Sequence, residues 1–252
     1  MSQPLVHHRV DRAIATITLD SPENRNALSQ ALLDELEGHL ADTVTDDAVR
    51  AVVLTHTGNT FCAGADLSEA RNGSMTAGAE RLLRLLRSIV VHPKPVIAHV
   101  NGHARAGGLG LLGACDIVIA GPRSTFAFSE ARIGLAPAVI SLTTLPRLTD
   151  RAAGRYYLTG EVFDADEAAR IGLVTDAAHD PDITLTAITD ALRRCSPQGL
   201  AESKKLTARP MRDAIDVQGP VIAAHSALIF GSDEAREGMR AFMEKRPPLW
   251  SV

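Results

Sequence analysis

The sequence predicts an α/β protein with a helical C-terminal part. Short apolar runs of the kind that form buried strands recur at residues 13–19, 51–54, 95–100 and 116–120. Between the first three of them, from Leu28 to Leu40 and from Arg81 to Val91, apolar residues fall at helical spacing. From about Ala138 onward the chain is nearly all helical windows. Strands alternating with helices favour helices packed against a sheet, here over residues 1–190, with a helical region over 191–252.

Each element has a local reason. AIATITL at 13–19 sets Ile, Ile and Leu alternately with small residues or Thr, the pattern of a half-buried strand. Ser21-Pro-Glu-Asn-Arg-Asn26 is a turn, and Leu28, Leu32, Leu33, Leu36 and Leu40 then share one helical face. AVVL at 51–54 and PVIAHV at 95–100 read as buried strands. RLLRLLRSIVV at 81–91 puts its arginines opposite its apolar residues. After Asp116 to Ala120 come DRAAGRYYL, DADEAARIG, ITLTAITDALRRC and SDEAREGMRAFMEK. Ser232 caps the last of these, with Asp233 and Glu234 in its first turn. No linker, repeat or low-complexity stretch interrupts the pattern.

Composition excludes several classes of function. The 252 residues are 45% hydrophobic and 22% charged, with a net charge of −4 and no basic block, so nucleic acid is not an expected partner. No apolar run approaches the roughly 18 residues of a membrane span, and MSQPLVHHRVDRAIA has no basic-then-apolar leader. No membrane partner and a cytoplasmic location are expected. The three cysteines, Cys62, Cys115 and Cys195, are too scattered for disulfides or a metal site and are expected as reduced core thiols. The nine histidines form no HExxH motif or His/Cys cluster, so no metal is expected.

Two glycine-bearing segments carry the chemistry. Gly108-x-Gly110-x-x-Gly113 has the spacing of a dinucleotide-binding loop, and Glu130 lies about 20 residues further on, where such a loop wants its ribose-binding acid. Against NAD, six residues separate the strand end at Val100 from Gly107, and Glu130 falls in a polar turn. The other use of glycine is to let a ligand reach backbone N–H groups at a helix start. Ala63-Gly64-Ala65 after the strand AVVL offers the same hardware, so two loops could aim two amides at one point, an oxyanion hole.

FCAGADL at 61–67, HVNGHARAGGLGLLGACDIVIA at 99–120 and FAFSEARIGLAP at 126–137 resemble, in order and spacing, the enoyl-CoA hydratase/isomerase (crotonase) superfamily. The likeness runs from TLDSPENRNALS through LTGEVFDADEAARIGLV to EGMRAFMEKRPP. It implies a spiral of ββα turns with two roughly perpendicular sheets, then helices that mediate assembly as a homotrimer or homohexamer. It also implies an acyl-CoA substrate, with no cofactor beyond the coenzyme A carried by the thioester. The resemblance assigns the oxyanion amides to Ala65 and Gly107 and the acid/base group to Glu130. For coenzyme A it implies Arg25, Ala27, Ala63, Phe242 and Lys245. His99 and His103 flank the glycine loop and are expected to pack rather than touch substrate, and Asp66 and Asp116 to act as structural caps. Leu67 to Leu86 is expected to line the acyl pocket, with RNGSMTAGAE mobile within it.

One departure stands out. Where the family's hydratases read GGxE, this chain has Gly107-Gly108-Leu109-Gly110, so the first of two glutamates is replaced by Gly110. GGxGL with SEARIGLAPAVIS resembles a bacterial hydratase branch lacking that acid. Phe126, Phe128, Ile133 and Leu135 would give Glu130 an apolar setting. One carboxylate can add water across C2=C3 or carry a proton from C2 to C4. Hydration is the favoured reading, Δ3-Δ2-enoyl-CoA isomerisation is the alternative, and a non-catalytic acyl-CoA-binding homologue is a third.

Overall fold

In the computed structural model, which describes residues 3–66, 69 and 75–252, the chain opens with a hairpin of β1 (Val6–Asp11) and β2 (Ile14–Leu19). Its two-residue turn holds Arg12 and Ala13 at positive φ, a conformation usually left to Asn-Gly. Helix α1 (Gln30–Thr45) follows, its Leu32 N–H capped by the Ser29 hydroxyl and its buried leucines those of the predicted stripe. Then come β3 (Ala51–His56), β4 (Thr60–Cys62) and α2 (Met75–Val90). The next turn is β5 (Val96–Val100), β6 (His103–Arg105) and α3 (Gly107–Ala114). After it come β7 (Ile117–Ala120), β8 (Thr125–Ala127), a 3-10 turn at Glu130–Ile133 and α4 (Ala138–Thr144).

From β3 onward each turn of chain gives its first strand to one sheet and its second to another. With β9 (Phe163–Asp164) and β10 (Asp176–Ala177), the large sheet runs β1-β2-β3-β5-β7-β10 and the small one β4-β6-β8-β9. That stepping of β3, β5, β7 beside β4, β6, β8 is the spiral. The central strands of the large sheet are parallel and buried on both faces, which explains why AVVL and IVIA are continuously apolar.

The C-terminal part is helical: α5 (Asp150–Thr159), α6 (Ala165–Arg170), α7 (Pro181–Arg193), α8 (Pro197–Phe230) and α9 (Asp233–Met243). Helix α8 packs along α2 and α4 and contains Pro210 and Pro220. It is tied to the spiral by Lys204, only 5% exposed, whose Nζ lies 2.7 Å from Asp116 Oδ2 and 2.9 Å from Ile89 O. Asp116 also accepts the Val96 N–H at 2.7 Å, so it is the structural cap expected of it. Among the described residues no single helix is long and apolar enough to cross a membrane. Cys62 and Cys115 are buried, and burial pushes both thiols up to about 12. Cys195 corrects the expectation of a core residue: it follows α7 and is exposed.

Candidate active site

The two loops leave the small sheet side by side, because β4 and β6 are neighbours in it. Gly64 has a φ of 92°, and a Cβ there would lie 2.8 Å from Ala106 Cβ and 3.2 Å from Gly107 N. Only a glycine lets the loops come this close. A Cβ on Gly107 would lie 3.8 Å from Ala65 N. The amides of Ala65 and Gly107 therefore border one small space.

Local backbone geometry leaves both amides available. Leu28 forms a parallel bridge with Ala65 in which the Leu28 N–H donates to Gly64 O at 2.8 Å. Bonds in such a bridge run through the residues either side of the bridged one, so the Ala65 N–H points away from Leu28. Gly107 is the first residue of α3, where an N–H has no partner within the helix. Ala106 enters that helix at a φ of 47°, a conformation that costs a side-chain-bearing residue free energy and that the neighbouring strands hold in place.

The glycines of the GxGxxG spacing do something else. A Cβ on Gly108 would meet Cys62 O at 2.7 Å, one on Gly110 Ile140 Cγ2 at 2.5 Å, and one on Gly113 Thr143 O at 2.6 Å. They let α3 lie against β4 on one side and α4 on the other, so close helix packing accounts for the dinucleotide-like spacing. At Gly110 the room that a longer side chain would need is taken by Ile140, with Leu86 Cδ1 3.4 Å from the same point.

Glu130 begins the 3-10 turn after β8 and is 8% exposed. Burial pushes its carboxyl up to about 7, opposed only by its own backbone N–H. Its Oε2 has no hydrogen-bond partner among the described residues. Phe126 on β8 and Phe128 just after it are fully buried, and Leu135 is buried just beyond the turn. Arg132 turns away and donates Nε to Thr159 O at 2.9 Å. A buried carboxyl that titrates near neutrality without a fixed partner can both accept and return a proton.

The residues expected to hold coenzyme A fall in two places. Arg25, at a φ of 54°, accepts the Ala63 N–H on its carbonyl at 3.1 Å, and Ala27 is buried two residues on. These three join Ala65 and Gly107 in one cluster. Phe242, 52% exposed, and Lys245 lie at the end of α9. That helix packs on the Glu130 turn so closely that a Cβ on Gly134 would meet Glu234 C at 2.6 Å. His99 Nε2 lies 3.2 Å from Asp182 Oδ1, and His103 Nδ1 bonds Thr125 Oγ1 at 2.8 Å, both packing arrangements. Asp66 accepts from Asn24 Nδ2 at 2.8 Å. Leu67 and the first four residues of the RNGSMTAGAE stretch, 71–74, lie outside the described residues. Among the described residues no three His, Cys, Asp or Glu side chains are grouped to hold a metal.

The structure brings three residues into this region to which no motif assigned a role, Ile140 lying within SEARIGLAPAVIS and the other two outside every quoted site motif. Ile140 fills the side of Gly110, Thr144 lies one turn further along α4, and Tyr157 on α5 packs its ring 4.5 Å from that of Phe128. The one available hint was the aromatic pair in GRYYL.

Two backbone donors and one buried carboxyl, mounted on a spiral of paired strands and helices, are the equipment of an enzyme that holds an oxyanion and moves a proton. A family model described as enoyl-CoA hydratase/isomerase matches residues 9–252. An enoyl-CoA hydratase from Mycobacterium avium, known from its crystal structure, superposes with a TM-score of 0.93 at 52% identity, over 99% of this chain and 100% of that one. A mevalonyl-coenzyme A hydratase from Aspergillus fumigatus is 34% identical over 94% of this chain and 91% of its own. A short-chain-enoyl-CoA hydratase from Clostridium acetobutylicum is 31% identical over 92% of each chain. The chain belongs to the enoyl-CoA hydratase/isomerase family.

Proposed function

We propose that the protein adds water across the C2=C3 bond of a 2-enoyl-CoA thioester, with Glu130 as its only acid/base carboxyl. The observation that supports this reading best is the pairing of a buried Glu130 Oε2, without a hydrogen-bond partner among the described residues, with two available amides at Ala65 and Gly107. The amides hold the thioester oxygen. Ionised Glu130 takes a proton from water as the water oxygen bonds to C3, and the C2=C3 electrons move onto the thioester as an enolate. The enolate charge rests on the two N–H groups, and Glu130 returns the proton to C2. The sum is the addition of one water. Because the carboxylate is the working form, kcat/KM rises with pH to a plateau above about 7.

Arg25, Ala27, Ala63, Phe242 and Lys245 hold the coenzyme A portion in this reading, Lys245 by pairing with phosphate. No resident cofactor or metal is required. Exposed Leu206, Val217, Val221 and Leu228 on α8 offer an apolar face for further copies in a homotrimer or homohexamer. The setting is cytoplasmic. Gly110 favours a second reading, isomerisation, since a shuttle from C2 to C4 needs one carboxylate and no held water.

The test is absorbance of the conjugated thioester on a panel of 2-enoyl-CoA and 3-enoyl-CoA esters. Loss of the 2-enoyl signal, with the rate falling roughly 100- to 10,000-fold in Glu130→Gln, is expected. A gain of signal from 3-enoyl esters without loss from 2-enoyl esters makes the protein an isomerase. Silence with both, alongside tight acyl-CoA binding, makes it a binding protein.

A further inference from the structure

The amide of Ala65 is the last link in a relay of hydrogen-bonded peptides that passes through Leu28. Ser29 N–H donates to Ala27 O at 2.8 Å, closing a three-residue turn centred on Leu28, and Leu28 N–H donates to Gly64 O at 2.8 Å. A trans peptide carries its C=O and its N–H on opposite edges of one plane. The bond that Leu28 makes to the Gly64 carbonyl therefore fixes the direction in which the Ala65 N–H points. It also strengthens that N–H as a donor, because hydrogen bonds in a chain polarise one another. The side chain of Leu28 reaches the other loop. Its Cδ1 lies 3.0 Å from the point a Cβ on Gly107 would occupy, and the same point is 3.5 Å from Gly64 Cα and 3.8 Å from Ala65 N. Leu28 is buried, and Asn26 anchors its loop. Asn26 is fully buried, accepts the Ser21 N–H on Oδ1 and donates Nδ2 to Thr60 O on β4, both at 2.7 Å.

We propose that Leu28 is the positioning residue of the oxyanion hole, its N–H aiming and polarising the Ala65 amide and its side chain setting the gap between Ala65 and Gly107. A donor acts only if it points at the place where charge develops, and a displacement of about 1 Å can cost roughly 100-fold in rate. Gly107 is fixed as the first residue of α3, whereas Ala65 lies outside any helix or strand and joins the fold through its bridge with Leu28. The two contacts of Leu28 are separable. Any residue but proline at position 28 keeps the N–H on Gly64 O, while the contact with Gly107 belongs to the leucine side chain.

The inference rests on Ala65 and Gly107 as the oxyanion amides, so its test reads the thioester carbonyl directly as well as through turnover. But-2-enoyl-CoA isotopically labelled at the thioester carbonyl is bound to Glu130→Gln protein, and its infrared C=O band is compared with that of the free thioester. Turnover is measured with Glu130 present, on the best 2-enoyl-CoA ester. Binding is expected to lower the band, because donation by two amides weakens the C=O bond. The lowering is expected to shrink when Leu28 is replaced by its α-hydroxy analogue, which exchanges the N–H for an ester oxygen, and in Leu28→Ala, which keeps the N–H and loses the contact with Gly107. In both proteins kcat is expected to fall roughly 10- to 100-fold with KM little changed. Leu28→Met, of similar volume, is expected to keep the wild-type band and kcat. A full lowering of the band with unchanged kcat in either folded protein, the α-hydroxy form or Leu28→Ala, overturns the proposal, as does a loss confined to KM. No lowering with Leu28 in place overturns the oxyanion reading and the proposal with it. A lowering that shrinks as expected, without turnover of any enoyl ester, upholds the role of Leu28 and overturns the hydratase reading alone.

Discussion

Replacing Gly110 by alanine tests how closely α4 packs against that position. A new methyl there would lie 2.5 Å from Ile140 Cγ2 and 3.0 Å from Ile140 Cβ, against the roughly 3.5–4.0 Å of ordinary carbon contact. Neither atom is the free end of a flexible chain. Ile140 is buried within α4, where a β-branched residue has essentially one rotamer, so the helices must separate by about 1 Å. Overpacking of this kind costs about 1–3 kcal/mol, while Gly to Ala in a helix returns about 1 kcal/mol. The expected net effect of Gly110→Ala is a loss of about 1 kcal/mol. Ile140→Ala alone opens a cavity and costs about 2–5 kcal/mol. In the double variant the new methyl enters that cavity, so the combined loss falls short of the sum by about 1–3 kcal/mol. Urea unfolding followed by far-UV circular dichroism, at one protein concentration, measures all three. A stabilised Gly110→Ala with an additive double variant would refute the reasoning, because it would mean that Ile140 does not occupy the space.

Further outcomes follow from the same geometry. Between its ordinary value of 4.5 and the raised value of about 7, Glu130 holds a proton in the folded state that the unfolded chain releases. Stability therefore falls as pH rises through that window, by about 3 kcal/mol in all, and Glu130→Gln removes this fall, as unfolding at about pH 5 and about pH 8 will show. Lys204→Ala leaves Asp116 without its buried partner and costs about 3 kcal/mol in urea unfolding, while Lys204→Met with Asp116→Asn recovers part of the loss. A Cβ on Gly238 would overlap the Ile133 carbonyl, so Gly238→Ala lifts α9 from the Glu130 turn, costs about 1–3 kcal/mol and lowers kcat in the same preparation.

The parallel strands were legible because burial on both faces leaves nearly unbroken apolar runs, and α1 because Leu32, Leu33, Leu36 and Leu40 mark its inner face. The first hairpin was not legible. VHHRVD has little apolar content, and its turn is Arg12-Ala13, residues that give no turn signal because the sheet rather than local preference imposes their positive φ. Helix α8 was hidden by Pro210 and Pro220, which argue locally for an ending, whereas packing along α2 and α4 and the Lys204–Asp116 pair carry the helix across both. Within the site, Ala65, Gly107 and Glu130 could be named because FCAGADL, HVNGHARAGGLGLLGACDIVIA and FAFSEARIGLAP resemble the family's motifs in order and spacing. Ile140 and Tyr157 were given no role, since Ile140 matters through the contact of α4 with Gly110 on α3 and Tyr157 through α5 meeting the Glu130 turn, contacts between segments that no local pattern encodes.

The central claim, that Glu130 alone passes a water proton to carbon, is tested most directly by running the reaction in heavy-oxygen water and, separately, in heavy water, with wild type and Glu130→Gln. A 3-hydroxyacyl-CoA carrying solvent oxygen at C3 and a solvent deuteron at C2, formed by the wild type and lost roughly 100- to 10,000-fold in Glu130→Gln, is the predicted result. Equal labelling rates in the two proteins, or a product with no solvent oxygen at C3, would contradict it.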